Sequence, residues 1–185
     1  TWLRRQRQMC IRDSVLEQNE ENQKYRLGLK LYSLGHQVDV YQTFVMKARP
    51  FLEEIAFEYK ETVHLGIFDN NQVFYLDKVK GSLGLQINTQ IGSYRPLHCT
   101  GIGKLILAYL PQNKVTELLK VKRVKKTDNT IIEAKALKAA LEEIRNKGFA
   151  LDNEEYEIGL ICLALPILNR KGEFIGGISL SGPSA

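Results

Sequence analysis

The residue pattern of this chain predicts an α+β fold, an antiparallel sheet with helices packed on it. Three observations carry that prediction. Runs rich in β-branched and aromatic residues occur in two pairs, each joined by a short turn-forming segment. Stretches with apolar residues at helical spacing precede the first pair and separate it from the second. No repeat and no Pro/Gly/Ser-rich linker interrupts residues 36–185, so they are expected to form one folding unit.

Taken in order, residues 27–34 and 38–60 place Leu27, Leu31 and Leu34, then Val40, Phe44, Ala48, Leu52, Ile55, Ala56 and Tyr59, at helical spacing. Two helices broken near Gly35 are expected, with Pro50 kinking or dividing the second because it lacks an N–H. Residues 62–68 and 72–79 flank Asp69-Asn-Asn71, which reads as a hairpin. A short strand over residues 84–88 leads through a loop to Tyr94-Arg-Pro96. Thr100 can cap a helix from Gly101 to Leu110, and Pro111 opens another short helix reaching Leu119. Ile131, Ala134, Leu137, Leu141 and Ile144 predict an amphipathic helix over residues 130–146, ended by Gly148. Residues 149–152, 160–168 and 173–181 complete the sheet, the last two joined by an Asn-Arg-Lys-Gly turn.

At 185 residues, 44% hydrophobic and 25% charged, the composition is that of a globular chain able to bury a full core. Its apolar runs fall far short of the roughly 20 residues a membrane span requires, and no secretory leader opens it. A cytoplasmic protein with no membrane partner is expected. Three cysteines at unpatterned spacings offer neither a disulfide framework nor a zinc ribbon. Of the net charge of +5, residues 1–14 supply +3 through Arg4, Arg5, Arg7 and Arg12 against Asp13. The remainder is no nucleic-acid footprint, and the cluster Lys120-Val-Lys-Arg-Val-Lys-Lys126 reads as a solvated helix end rather than a phosphate site. Residues 1–14 show no periodicity that continues into the rest. The stretch from Arg5 to Ser14 resembles translated adapter read-through, so this segment is read as non-native, with a basic N-terminal arm as the alternative.

Side chains alternate across a strand, so Phe174, Gly176, Ile178 and Leu180 fall on one face of residues 173–181 and Ile175, Gly177, Ser179 and Ser181 on the other. In residues 160–168, Cys162 and Ala164 make a small face, while Ile161, Leu163, Leu165 and Ile167 make a bulky one expected to be the packed core. The small face is expected to be hollow, with the Gly101-Ile-Gly103 helix start as its lid. N–H groups at that start favour an anion such as a carboxylate. Asp152 would repel it there and is expected to accept from hydroxyl groups at the far end. Hydroxy, keto or sugar acids fit best, and a few charge-assisted hydrogen bonds of about 1.5 to 3 kcal/mol each support micromolar to millimolar binding. The plain alternative is that Ser179 and Ser181 are exposed strand residues, Cys162 a small buried hydrophobe and the glycines turn punctuation.

No catalytic pattern emerges. Gly177-Ile-Ser-Leu-Ser-Gly182 is not a nucleophile elbow, Gly101-Ile-Gly-Lys104 lacks the rest of a phosphate loop, and His98 and Cys99 face opposite ways if extended. A zinc site from His98, Asp152 and Cys162 lacks a close-spaced anchoring pair, and His36 and His64 read as structural. Neither an enzyme nor a cofactor is expected.

The ordered series Tyr25-Arg-Leu-Gly28, Pro50-Phe-Leu, Glu61-Thr-Val-His-Leu65, Gly92-Ser-Tyr-Arg-Pro-Leu-His-Cys-Thr-Gly-Ile-Gly-Lys104, Ile144-Arg-Asn-Lys-Gly-Phe-Ala150, Asp152-Asn-Glu-Glu155 and Ile178-Ser-Leu-Ser-Gly-Pro183 resembles the IclR family of bacterial transcription regulators over residues 15–185. The resemblance implies a GAF-like, profilin-like effector-binding domain over residues 37–185. Before it come a linker helix at residues 28–36 and a remnant of a winged-helix wing at residues 15–27. It implies effector contacts at Gly101, Ile102, Asp152, Cys162, Ser179 and Ser181. A homodimer or homotetramer would read operator DNA only through the missing winged helix-turn-helix. Ile102 stands where a smaller residue is common in the family, implying a narrowed pocket. A free-standing binding or oligomerisation module, or an enzyme on the same fold, are the alternatives.

Overall fold

The computed structural model describes residues 2–83, 87 and 89–184. The short strand expected at residues 84–88 falls almost wholly outside that set. The chain divides into two compact units, residues 1–46 and 47–185.

The first unit contains helix α1 (Trp2–Arg12), strands β1 (Leu16–Gln18) and β2 (Tyr25–Leu27), helix α2 (Leu29–His36) and the start of helix α3 (Asp39–Tyr59). Residues 2–12, which carry no element predicted from the sequence, are helical. Arg, Gln, Leu and Met are good helix formers, and no Gly or Pro interrupts them. β1 and β2 pair antiparallel with Leu16 opposite Leu27. The Asn19 carboxamide accepts from Glu21 N and Asn22 N to form the turn between them. Gly28 lies so close to the Ser14 carbonyl that a Cβ would stand 2.1 Å from that oxygen. α3 is not divided at Pro50. The missing proline N–H removes the bond to the carbonyl four residues back, that of Met46, and the boundary between the units falls at that residue.

The second unit is built on a six-stranded antiparallel sheet. Its strands are β3 (Thr62–Asp69), β4 (Gln72–Val79), β5 (Tyr94–Arg95), β6 (Ala150–Asn153), β7 (Leu160–Leu168) and β8 (Phe174–Pro183). They lie in the order β5-β4-β3-β8-β7-β6. Asn70 and Asn71, both at positive φ, turn the first hairpin, as Asn tolerates.

Register assigns the faces. Ser179 lies opposite His64 on β3 and Ala164 on β7, and Ser181 opposite Thr62 and Cys162. Cys162 in turn faces Asp152 on β6. This is the inner face, covered by helix α4 (Gly101–Tyr109). A Cβ on Gly101 would meet Ala164 Cβ at 3.0 Å, which shows how closely helix and sheet approach. The other face carries Leu65, Asp77, Ile178, Leu165, Leu163 and Leu151. Over β4 it is crossed by α3, whose Arg49 Nη1 donates to both Asp77 carboxylate oxygens at 2.9 and 3.1 Å.

The packed core expected on the bulky face is present over β3, where Val63 and Leu65 are fully buried, and is missing over β6 and β7. The small face is the inside, whereas Leu163 and Leu165 on the bulky face are 39% and 45% exposed. The strict alternation expected along β8 also fails. An irregularity between Ile167 and Leu168 pairs Gly176 with Ile167 and Phe174 with Leu168, which skips Ile175. Ile175 is exposed, and Phe174 instead stacks on Tyr109 against the core.

Helices α5 (Gln112–Leu118) and α6 (Ala134–Lys147) complete the unit, α6 burying Leu137, Leu141 and Ile144. α6 begins at Ala134 rather than Thr130. The Thr130 hydroxyl is committed to the preceding loop, accepting from Lys126 N and Thr127 N and donating to Glu155 O. Gly148 ends the helix at φ 78°, its N–H on Ile144 O.

Candidate functional site

A cavity of about 120 Å³ lies between the first turn of α4 and the inner face of the sheet. Gly101, Ile102, Asp152, Cys162, Ser179 and Ser181 all line it. Thr100 makes the α4 end suitable. Its Oγ1 accepts from Gly103 N at 3.2 Å, and its carbonyl accepts from Lys104 N at 2.9 Å. The first-turn N–H groups of Gly101 and Ile102 therefore carry neither a helical nor a capping bond among the described residues. They and the dipole end of α4 supply the positive potential at the cavity.

Asp152 is buried, and Oδ1 already accepts from Glu155 N at 2.9 Å and Tyr156 N at 3.4 Å. The carboxylate therefore holds the turn after β6 as well as lining the cavity. Burial raises its pKa to about 6, helped by the charge of Glu155 and opposed by these backbone donors and Lys104. The Cys162 thiol is pushed up to about 12 by burial and then by Asp152, so it stays protonated and no nucleophile forms.

Behind the cavity, Lys104 Nζ on α4 donates to Leu151 O at 2.6 Å and pairs closely with Glu155 Oε1, both side chains being buried. Thr130 and Thr127 hold the carbonyls of Glu155 and Glu154. The cavity wall from Asp152 to Tyr156 is thus tied to α4 and to the loop before α6.

The wall also contains residues that sequence reasoning did not assign to it: His64, Tyr75, Thr89, Arg95 and Tyr156. His64, read as structural, faces the cavity from β3 with Nε2 2.5 Å from Thr89 Oγ1. Its Nδ1 is buried without a partner among the described residues. Burial first, then the charges of Lys78 and Arg95, lower its pKa to about 3 and keep the ring neutral. The Arg95 guanidinium lies 5.7 Å from the centre of the Tyr156 ring. Tyr75 reaches the wall through a bulge. Gly66 pairs with Tyr75 and Leu65 with Asp77, so Leu76 is the extra residue and Tyr75 and Asp77 turn to opposite faces. The conflict between an Asn-rich hairpin and this offset gave no sequence signal, but Arg95, the single cation of the Tyr-Arg-Pro segment, could have been noticed.

His98 does not join the group, since its ring Nε2 lies 3.0 Å from Val124 O. Among the described residues no set of His, Cys, Asp and Glu side chains is arranged to hold a metal ion. Ile102 lines the cavity, and its branched side chain also reaches the sheet. It packs toward Gly66 and Gly177, where an added Cβ would meet it at 3.2 to 3.3 Å. No helix among the described residues is long and apolar enough to cross a membrane.

Comparison with known proteins agrees with this architecture. Residues 36–185 match the family model for the C-terminal part of the bacterial transcriptional regulator IclR. The chain is 38% identical over 167 residues to the transcriptional regulator XynR of Escherichia coli, covering 90% of this chain and 66% of that protein. It is 36% identical over 168 residues to E. coli KdgR, covering 90% and 64%. The chain therefore spans about two thirds of the length of these relatives, which are transcription regulators rather than enzymes. The IclR structure from Thermotoga maritima superposes with a TM-score of 0.82 at 33% identity, covering 97% of this chain and 73% of that one. An IclR homolog from Microbacterium hydrocarbonoxydans shares the fold with a TM-score of 0.91 at 20% identity, covering 97% and 74%. The chain belongs to the IclR family of bacterial transcriptional regulators, and residues 36–185 are its C-terminal domain.

Proposed function

We propose that the second unit senses a small organic acid, a keto, hydroxy or sugar acid, and that its occupancy controls operator binding by a winged helix-turn-helix of the longer, cytoplasmic regulator. The observation that carries this reading is the convergence of Gly101, Ile102, Asp152, Cys162, Ser179 and Ser181 on one cavity. A carboxylate would take the Gly101 and Ile102 N–H groups, Ser179 and Ser181 would orient it, and a hydroxyl would reach Asp152. A cavity of about 120 Å³ favours compact acids. The Microbacterium homolog has been solved with 4-hydroxybenzoate, itself a small hydroxy acid, which supports the class. Control of DNA would require the ligand to favour one arrangement of a homodimer or homotetramer, and couplings of about 1 to 3 kcal/mol suffice.

Calorimetry of the chain against a panel of 2-keto, hydroxy and sugar acids tests the reading. At least one acid is expected to bind, with the Ser179→Ala/Ser181→Ala double variant weakening it about tenfold or more. If no acid in the panel binds, or binding ignores the serines, the cavity is not an effector site and an oligomerisation role takes its place.

A further inference from the structure

We propose a second ligand site between the segment leading into α4 and the loop after α5, a groove that takes an amphiphilic carboxylate with its apolar body inside and its head group on a lysine rim. The groove has a volume of about 420 Å³, several times that of the cavity under the α4 tip. That lies within the roughly 300 to 1,000 Å³ of small-molecule pockets. Its floor is apolar, made of Leu97 and Leu107 with Leu118 and Leu119 from the end of α5. Its lips are Val121 and Val124, 66% and 60% exposed, which no described helix or strand covers.

The rim explains the basic run that the first cavity does not use. Arg123 braces the loop, donating from Nε to Ile132 O and from Nη1 to Leu119 O. Lys125 is paired with Asp128. Lys122 and Lys126 are left as the cations lining the groove, Lys126 held with Nζ 5.9 Å from the centre of the Tyr156 ring. No carboxylate lines it among the described residues. His98 adds no charge, because burial lowers its pKa. Leucines and valines, the neutral Asn70, Asn71 and Gln72, and charged lining groups that are all cationic among the described residues are complementary to a negative head on a hydrocarbon or aromatic body. A phosphate or a short dicarboxylate would leave the floor empty, and a neutral apolar molecule would leave the lysines unused.

Decanoate below its micelle concentration is the probe, titrated into the 185-residue chain by calorimetry with ¹H–¹⁵N NMR to locate it. Saturable binding is expected, with shifts centred on residues 118–126. The Lys122→Glu/Lys126→Glu variant should weaken it by about tenfold or more, as should replacing decanoate by decanol. The Ser179→Ala/Ser181→Ala variant should change it by less than about twofold, so failure of the first cavity and failure of the groove are separable. The proposal is overturned if the shifts centre on the Ser179 cavity, if the lysine variant binds as well as the parent, or if no saturable binding occurs up to about 2 mM. It is also overturned if the groove is covered by a second copy, which sedimentation would show as self-association lost in the lysine variant.

Discussion

The two faces of the six-stranded sheet differ in what covers them over β6, β7 and β8. On the inner face Ser179 and Ser181 are 4% and 1% exposed, beside Gly177, Ala164 and Asp152. On the outer face over β6 and β7, Leu151, Leu163 and Leu165 stay 39% to 45% exposed. On the inner face the size of the side chains sets how near a helix can come. α4 lies within van der Waals distance of Ala164 and the Gly177 backbone, and larger residues there would hold it off. Small residues therefore bury the helix, and the space they leave beyond its N-terminus is the cavity.

The largest test of this contrast removes the tie between α4 and the cavity wall. Lys104→Met leaves the Glu155 carboxylate buried without its cation and should cost about 3 to 5 kcal/mol in urea unfolding. Adding Glu155→Leu should restore much of the loss, and a single-variant cost below about 1 kcal/mol would mean that the pair does not hold the inner face together.

The next effect is a pH dependence. Asp152 keeps its proton up to about pH 6 in the folded chain, against a value of 3.8 for the unconstrained group. Folding therefore takes up a proton between those values, and stability contributed by this residue falls as pH rises through about 4 to 6. Asp152→Asn, which retains an oxygen for the Glu155 and Tyr156 N–H groups, should flatten that slope and gain about 1 to 3 kcal/mol relative to the parent between pH 4 and pH 7. An unchanged slope would place the proton uptake on another group.

The smallest effect belongs to the outer face. Leu165→Lys, at a position already nearly half exposed, should shift stability by less than about 1 kcal/mol, whereas Ala164→Leu one residue earlier would collide with Gly101 and cost several times more. Comparable losses at the two positions would remove the distinction between the faces.

Much of this architecture was legible in local signals. The Thr100 cap, the Asn70-Asn71 turn, Gly148 at the end of α6 and the small positions of β7 and β8 each follow from one stretch of chain, and the six residues assigned to one pocket do surround one cavity. What escaped depends on pairing between strands. The bulge at Leu76 sends Tyr75 into the cavity and Asp77 toward Arg49, although simple alternation puts both on one side. The skipped Ile175 separates Phe174 from the face assigned to it. Arg95, His64 and Tyr156 come from three distant segments, and nothing in any of those segments alone announces a meeting place. In the basic run after α5 the charges draw attention first, but the exposed Val121 and Val124 carry the information about the groove.

Ile102 wedges its branched end between Gly66 and Gly177 like a spacer cut to thickness. The cavity under the α4 tip is therefore shaped in part by two glycines of β3 and β8 that do not themselves line it. A methyl added at Gly177 would stand 3.3 Å from the Ile102 side chain, tight enough that one of the two must give way. The room beneath the helix tip thus depends on Gly66 and Gly177, which a search confined to the cavity wall would pass over.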